Sequence, residues 1–203
     1  MIAMDMASRE YGAPLTLGQA ADRIKGSALG ERITFHFDMD FESYHSSESF
    51  DIAILSHCSW YFKSPEVLSR YFKKLRKITK CIGFAEWDLE FSDQSQRAHF
   101  CAATILALYS NFVKNDGNIQ NVFHKKQIRD MLKQAGFQIM KEEGVDASYL
   151  QDAQWEKSYA NSIRSEFVNV PPTIQTLAAS CYEIMNASNG DEQSLNSFIL
   201  CGG

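Results

Sequence analysis

The 203-residue sequence holds 45% hydrophobic and 22% charged residues, the composition of a folded domain and not of a disordered chain. Acidic residues outnumber basic ones by 25 to 20, which disfavours a general nucleic-acid binder. Five cysteines without a CxxC pair, and no signal peptide, point to reduced thiols and a cytoplasmic protein, while the most apolar helical run, FCAATILALYSNF at 100–112, falls short of the roughly 20 residues of a membrane span.

In chain order, MIAMDM reads as the end of a buried strand that finishes on Asp5. A loop with Gly12 and Pro14 leads to a helix over about 16–29, capped by Thr16, with Leu17, Ala20, Ala21, Ile24 and Leu29 to one side. RITFHFDMDF at 32–41 alternates Ile33, Phe35 and Phe37, the period of a strand, and ends among Asp38 and Asp40. FDIAILS supplies the next strand, and its unbroken apolar run predicts burial on both faces, as in a parallel sheet. Ser64-Pro65-Glu66 then starts a helix: a cap, a proline at the first position and an acid at the positive dipole end.

KCIGFAEWD at 80–88 is another buried strand, ending on Glu86 and Asp88, and a long helix follows over about 92–114. KKQIRDMLKQAGF at 125–137 is a helix that Gly136 stops. QIMKEEGVDA is a strand, two helices follow at about 147–166 and 173–188, and SLNSFILC at 194–201 is a last strand. This alternation predicts one α/β domain over 1–203, with helices on both faces of its sheet and the 147–190 helices as an insertion or cap between the last two strands.

Open α/β sheets bind ligands beyond the carboxyl ends of their strands. Here those ends carry Asp5, then Asp38 and Asp40, then Ser56 and His57, then Glu86 and Asp88. A carboxylate after an early strand suits the paired hydroxyls of a ribose, and an acid one strand later suits an adenine amino group. Single acids at strand ends are commonly just solvated; repetition at successive ends favours a site. His57 is the leading catalytic candidate, since imidazole accepts a proton near neutral pH; the alternative is a histidine that fixes a loop. Cys58 points to the opposite face and reads as a packing thiol. Glu86 and His99 are candidate substrate contacts, with loop solvation and a surface position as their plain alternatives. Lys73, Lys74, Arg76, Lys77 and Lys80 form the solvated side of an amphipathic helix. The five histidines are too scattered to predict a metal site.

The stretches YGAPLTLGQA, FDIAILSHCSWYF, FAEWD and KQAGF, with the helix from Ser64 between the second and third, resemble class I S-adenosylmethionine-dependent methyltransferases. More narrowly, they resemble an uncharacterised bacterial and fungal branch that acts on small molecules. The resemblance implies a Rossmann-like sheet and S-adenosylmethionine as cofactor. It implies that Asp5, with Met6 beside it, holds the ribose, that Asp40 and Phe41 flank the adenine, and that Ser56 and His57 face the methyl group. Trp60 and Tyr61 would wall the substrate pocket. The family opens on a strand and a GxGxG loop about 20 residues before the ribose acid; in this sequence that strand and loop do not precede Asp5, which would remove the central strand and weaken activity. The implied partner is a small-molecule substrate, with neither nucleic acid nor membrane, and a homodimer is compatible with the sequence. Two other readings are a non-catalytic remnant of the fold that acts in protein interaction, and a nicotinamide oxidoreductase. The second lacks a tyrosine and lysine four apart, since Tyr71 and Lys74 are three apart.

Overall fold

The computed structural model describes residues 1–114, 118–187 and 190–203, which form two compact units, Met1–Glu48 and Ser49–Gly203. In the first unit, β1 (Ile2–Met4) pairs in parallel with β2 (Thr34–His36), in the register Ile2 to Thr34 and Met4 to His36. Between them lies α1 (Leu17–Lys25), whose Thr16 cap accepts the Gln19 N–H while the Gln19 side chain accepts the Thr16 N–H. The helix ends four residues before the expected limit, and of the apolar side predicted for it only Ala21 is buried. Ile24 and Leu29 are exposed, and Leu29 lies beyond the helix, which Gly26 closes.

The second unit is built on a four-stranded sheet in the order β3-β4-β6-β5. β3 (Phe50–Ser56) and β4 (Thr79–Trp87) are parallel, joined through α2 (Pro65–Ile78). β6 (Ser197–Gly202) runs antiparallel to both β4 and β5 (Ile139–Val145). α2 forms as expected: Ser64 caps it, Pro65 opens it, and Leu68, Tyr71, Phe72 and Leu75 turn inward. Phe72 packs edge-on against Phe84 of β4, and Phe84 stacks on Phe198 of β6. The opposite face of β4 carries Trp87, which meets His99 of α3 (Arg97–Phe112), so helices cover both faces.

A short 3₁₀ turn at Gln94–Gln96 precedes α3, and α4 (Lys125–Gln134) ends before Gly136, whose φ of +97° is the left-handed stop predicted from sequence. Between β5 and β6 lie α5 (Asp152–Ser162), a 3₁₀ segment at Arg164–Asn169 and α6 (Pro172–Asn186); the end predicted for this last helix, at 188, lies outside the described residues. α3 packs on both α5 and α6. The hydroxyl of Tyr182 donates to the Ala160 carbonyl at 2.7 Å, which ties α6 to α5.

One expectation fails. β3 is not buried on both faces: Ile52 is 52% and Ile54 72% exposed. The reason is its place in the sheet. Within the second unit β3 is an edge strand whose ladder partner is β4, and no element of that unit covers the side bearing Ile52 and Ile54. Substitution of Ile54 by Ser should therefore leave stability within about 0.5 kcal/mol. Ile82→Ala, at a position 1% exposed in β4, should cost about 2–5 kcal/mol by chemical denaturation.

Candidate active site

The site in the second unit starts where β3 ends. His57 donates its backbone N–H to the Ala85 carbonyl at 2.9 Å, which extends the β3–β4 ladder by one step. Its φ of +48° then turns the chain through the left-handed region, where histidine is among the better-tolerated non-glycine residues. A single 3₁₀ turn follows at Ser59–Tyr61. Its first residue fastens it to the neighbouring strand: the Ser59 N–H and hydroxyl donate to Glu86 Oε2 at 2.9 and 2.8 Å. The other oxygen, Oε1, accepts the Trp87 N–H at 3.0 Å. Glu86 is 1% exposed, and burial pushes its carboxyl up to about 7 against the opposing effect of these hydrogen bonds.

Beside this carboxyl lies a cavity of about 180 Å³. The end of β3 sends His57, Trp60 and Tyr61 to its wall, β4 sends Glu86 and Trp87, and the start of α5 sends Asp152 and Glu156. The His57 ring stands edge-on to Trp87 with centroids 4.5 Å apart. Its Nε2 lies 3.2 Å from the Ser197 hydroxyl, and its Nδ1 is 3.6 Å from Glu86 Oε1, beyond hydrogen-bond reach. Burial lowers the His57 pKa, with Asp152 pulling the other way. The imidazole is therefore held neutral, the form that accepts a proton.

His99 is placed differently from either sequence expectation. It is 0% exposed and sits behind the indoles, with centroids 4.9 Å from Trp87 and 6.3 Å from Trp60. Its Nδ1 accepts the Leu195 N–H at 2.8 Å, and its Nε2 lies 3.1 Å from Glu156 Oε2, poorly aligned for a hydrogen bond. It supports the wall and does not line the cavity. Ser56 closes β3 with an exposed side chain. Glu86, which loop solvation would have exposed, is instead the buried anchor of the site.

Asp5, Met6, Asp40 and Phe41 belong to the first unit and share the carboxyl end of its β1–β2 pair. The Asp5 N–H donates to the His36 carbonyl at 3.0 Å, and the Met39 N–H donates to the Asp5 carbonyl at 3.0 Å, so the loops after both strands are laced together. Each acid also closes a local turn: Asp5 Oδ1 accepts the Ala7 N–H and Asp40 Oδ1 the Glu42 N–H, both at 2.8 Å. A carboxylate has about four lone-pair directions, so the turn at Asp5 leaves acceptor capacity. Phe41 stacks on Tyr44 at 6.3 Å, and Met6 is 66% exposed.

Sequence reasoning missed Ser59, Ser197, Asp152 and Glu156. The last two carry a signal: DAQWE places acids at i and i+4, on one side of a helix start. Nothing local in the sequence marks which strand end that helix will face.

No protein-family model matches the chain, and no curated protein matches it. Solved structures do. A cyclopropane-fatty-acyl-phospholipid synthase-like protein from Lactobacillus casei is 28% identical, with a TM-score of 0.86 over 99% of this chain and 74% of its own. A putative sarcosine dimethylglycine methyltransferase from Galdieria sulphuraria is 10% identical, with a TM-score of 0.53 over 99% of this chain and 68% of its own. The mycolic acid cyclopropane synthase CmaA1, solved with SAH, is 12% identical, with a TM-score of 0.51 over 100% of this chain and 78% of its own. The mixed sheet with helices on both faces is thus the Rossmann-like fold of methyltransferases.

The raised Glu86 pKa sets a direction for stability. The folded value of about 7 lies above the ordinary 4.5, so the native state holds this proton more tightly than the unfolded chain. The Glu86 contribution is full below 4.5 and is lost as pH rises to about 7. Glu86→Gln should cost about 1–3 kcal/mol in acid, because one amide end faces a donor, and the gap from the parent should narrow towards neutral pH. Denaturant midpoints across pH, with NMR titration of the Glu86 carboxyl, check both statements.

Proposed function

We propose that the chain transfers a methyl group from S-adenosylmethionine to a small molecule held in the cavity beside His57. The observation that carries this reading is a walled cavity at the carboxyl end of β3 and β4, lined by a neutral imidazole and two indoles, in a chain with a fold match of TM-score 0.86 to a cyclopropane-fatty-acyl-phospholipid synthase-like protein. When bound, the cofactor supplies an electrophilic methyl group on a sulfonium.

The residues fit this cofactor at its nucleoside end. Asp5, at the end of a parallel strand, has acceptor capacity for the ribose hydroxyls, with Met6 beside it. Asp40 suits the adenine amino group and Phe41 the apolar face of the base. The sequence contains no GxGxG run to lie against the methionine part, and no residue is assigned to that part. On the substrate side, Trp60, Tyr61 and Trp87 exclude water and orient the acceptor, and Ser56 frames the strand end. His57 takes the proton that the accepting atom loses. Glu86 positions this wall through Ser59, and His99 backs it from behind the indoles.

Calorimetric titration should give a micromolar affinity for S-adenosylmethionine and for its demethylated product. Asp5→Ala should weaken both by about tenfold or more, the loss of a charge-assisted hydrogen-bond pair. His57→Asn, which tolerates the left-handed backbone, should leave cofactor affinity unchanged and lower turnover by about 10²-fold. A folded sample that binds neither cofactor form sinks the proposal.

A further inference from the structure

We infer that the cavity beside His57 is a site for a small protonated amine that also carries a hydrogen-bond acceptor. Its charge makes the first part of the case. Three carboxyl groups line it, from Glu86, Asp152 and Glu156, and no lysine or arginine does. The two histidines do not neutralise them. His99 Nδ1 is occupied in accepting the Leu195 N–H, so that nitrogen carries no proton. His57 is held neutral by burial.

The carboxyl groups are not equivalent. Glu86 already accepts three hydrogen bonds from Ser59 and Trp87 and is a structural acceptor. Asp152 and Glu156 stand one turn apart on α5 and line the same wall. Glu156 Oε2 is buried in a side chain 19% exposed; it lies 3.1 Å from His99 Nε2, too poorly aligned for a hydrogen bond, and forms none among the described residues. A carboxylate withdrawn from water without a cation is costly, and a bound ammonium removes that cost. Aromatic rings from Trp60, Tyr61 and Trp87 complete the wall, the side chains that best attract a cation withdrawn from water.

An independent feature supplies the second requirement. Trp60 lines the cavity, is 2% exposed, and its Nε1–H has no partner among the described residues. A buried indole N–H without an acceptor is rare in folded proteins. It calls for an oxygen on the occupant. The volume of about 180 Å³ suits a compact molecule such as an amino alcohol or a short amino acid.

This inference gives the methyl acceptor of the proposed reaction its class, a nitrogen, and in that respect rests on that reading. Binding itself is tested without cofactor. 2-Aminoethanol and glycine are titrated against their isosteres 1,2-ethanediol and glycolate, followed by calorimetry and by the fluorescence of the tryptophans. At least one amine should bind about tenfold or more tightly than its isostere. Asp152→Asn and Glu156→Gln should each remove most of that preference, with circular dichroism confirming the fold; Asp152, only half-buried, guards against a folding artefact at Glu156. Equal or tighter binding of the isosteres, no amine binding, or an amine preference that survives both substitutions overturns the inference. If the amines fail while S-adenosylmethionine binds, the amine class falls and the methyl-transfer reading stands.

Discussion

The site depends on one buried carboxyl group. Glu86 accepts three hydrogen bonds, two from Ser59 and one from Trp87, and so joins the end of β4 to the turn that follows β3. A parallel pair of strands leaves its carboxyl ends in separate loops, with no hairpin to couple them. Here the coupling is supplied by a side chain. It fixes the turn carrying Trp60 and Tyr61, holds the backbone of His57 against Ala85, and sets Trp87 where its ring can meet both histidines. The cost is a carboxyl group taken out of water, visible in its raised pKa.

Around that anchor the structure sorts its polar groups by depth. Glu86 and His99 lie deepest and are bonded to backbone N–H groups. His57 comes next, with one ring nitrogen near Ser197 and the other without a hydrogen bond. Asp152 and Glu156 stand opposite, on a helix from the segment between β5 and β6. The strand ends thus supply the imidazole of the cavity wall, and the helix between β5 and β6 supplies two of its carboxyl groups.

Much of this was legible from residue order. The cap and proline at Ser64–Glu66, the alternation that gives the sheet, and the left-handed stop at Gly136 are local signals, and the structure carries all three. His57, expected at a strand end, does line the cavity at the carboxyl end of β3. Contacts between distant segments left no local trace. Glu86 meets Ser59 across 27 positions and His99 meets Leu195 across 96, so neither the burial of the first nor the supporting role of the second could be read from its neighbours. The opposite error, burial predicted for Ile52 and Ile54, came from composition: an apolar run reports what a strand suits and not which neighbours it has.

Those two isoleucines have a practical consequence. Within the second unit β3 pairs on one side with β4, and on the other it presents backbone N–H and C=O groups beside apolar side chains. An open, hydrophobic edge of this kind is a template for strand addition. The charges beside it are slight: Asp51, paired at 2.8 Å with Lys80, is fully exposed. A charge introduced at Ile54 would act as a gatekeeper on this seven-residue strand without touching the cavity walls.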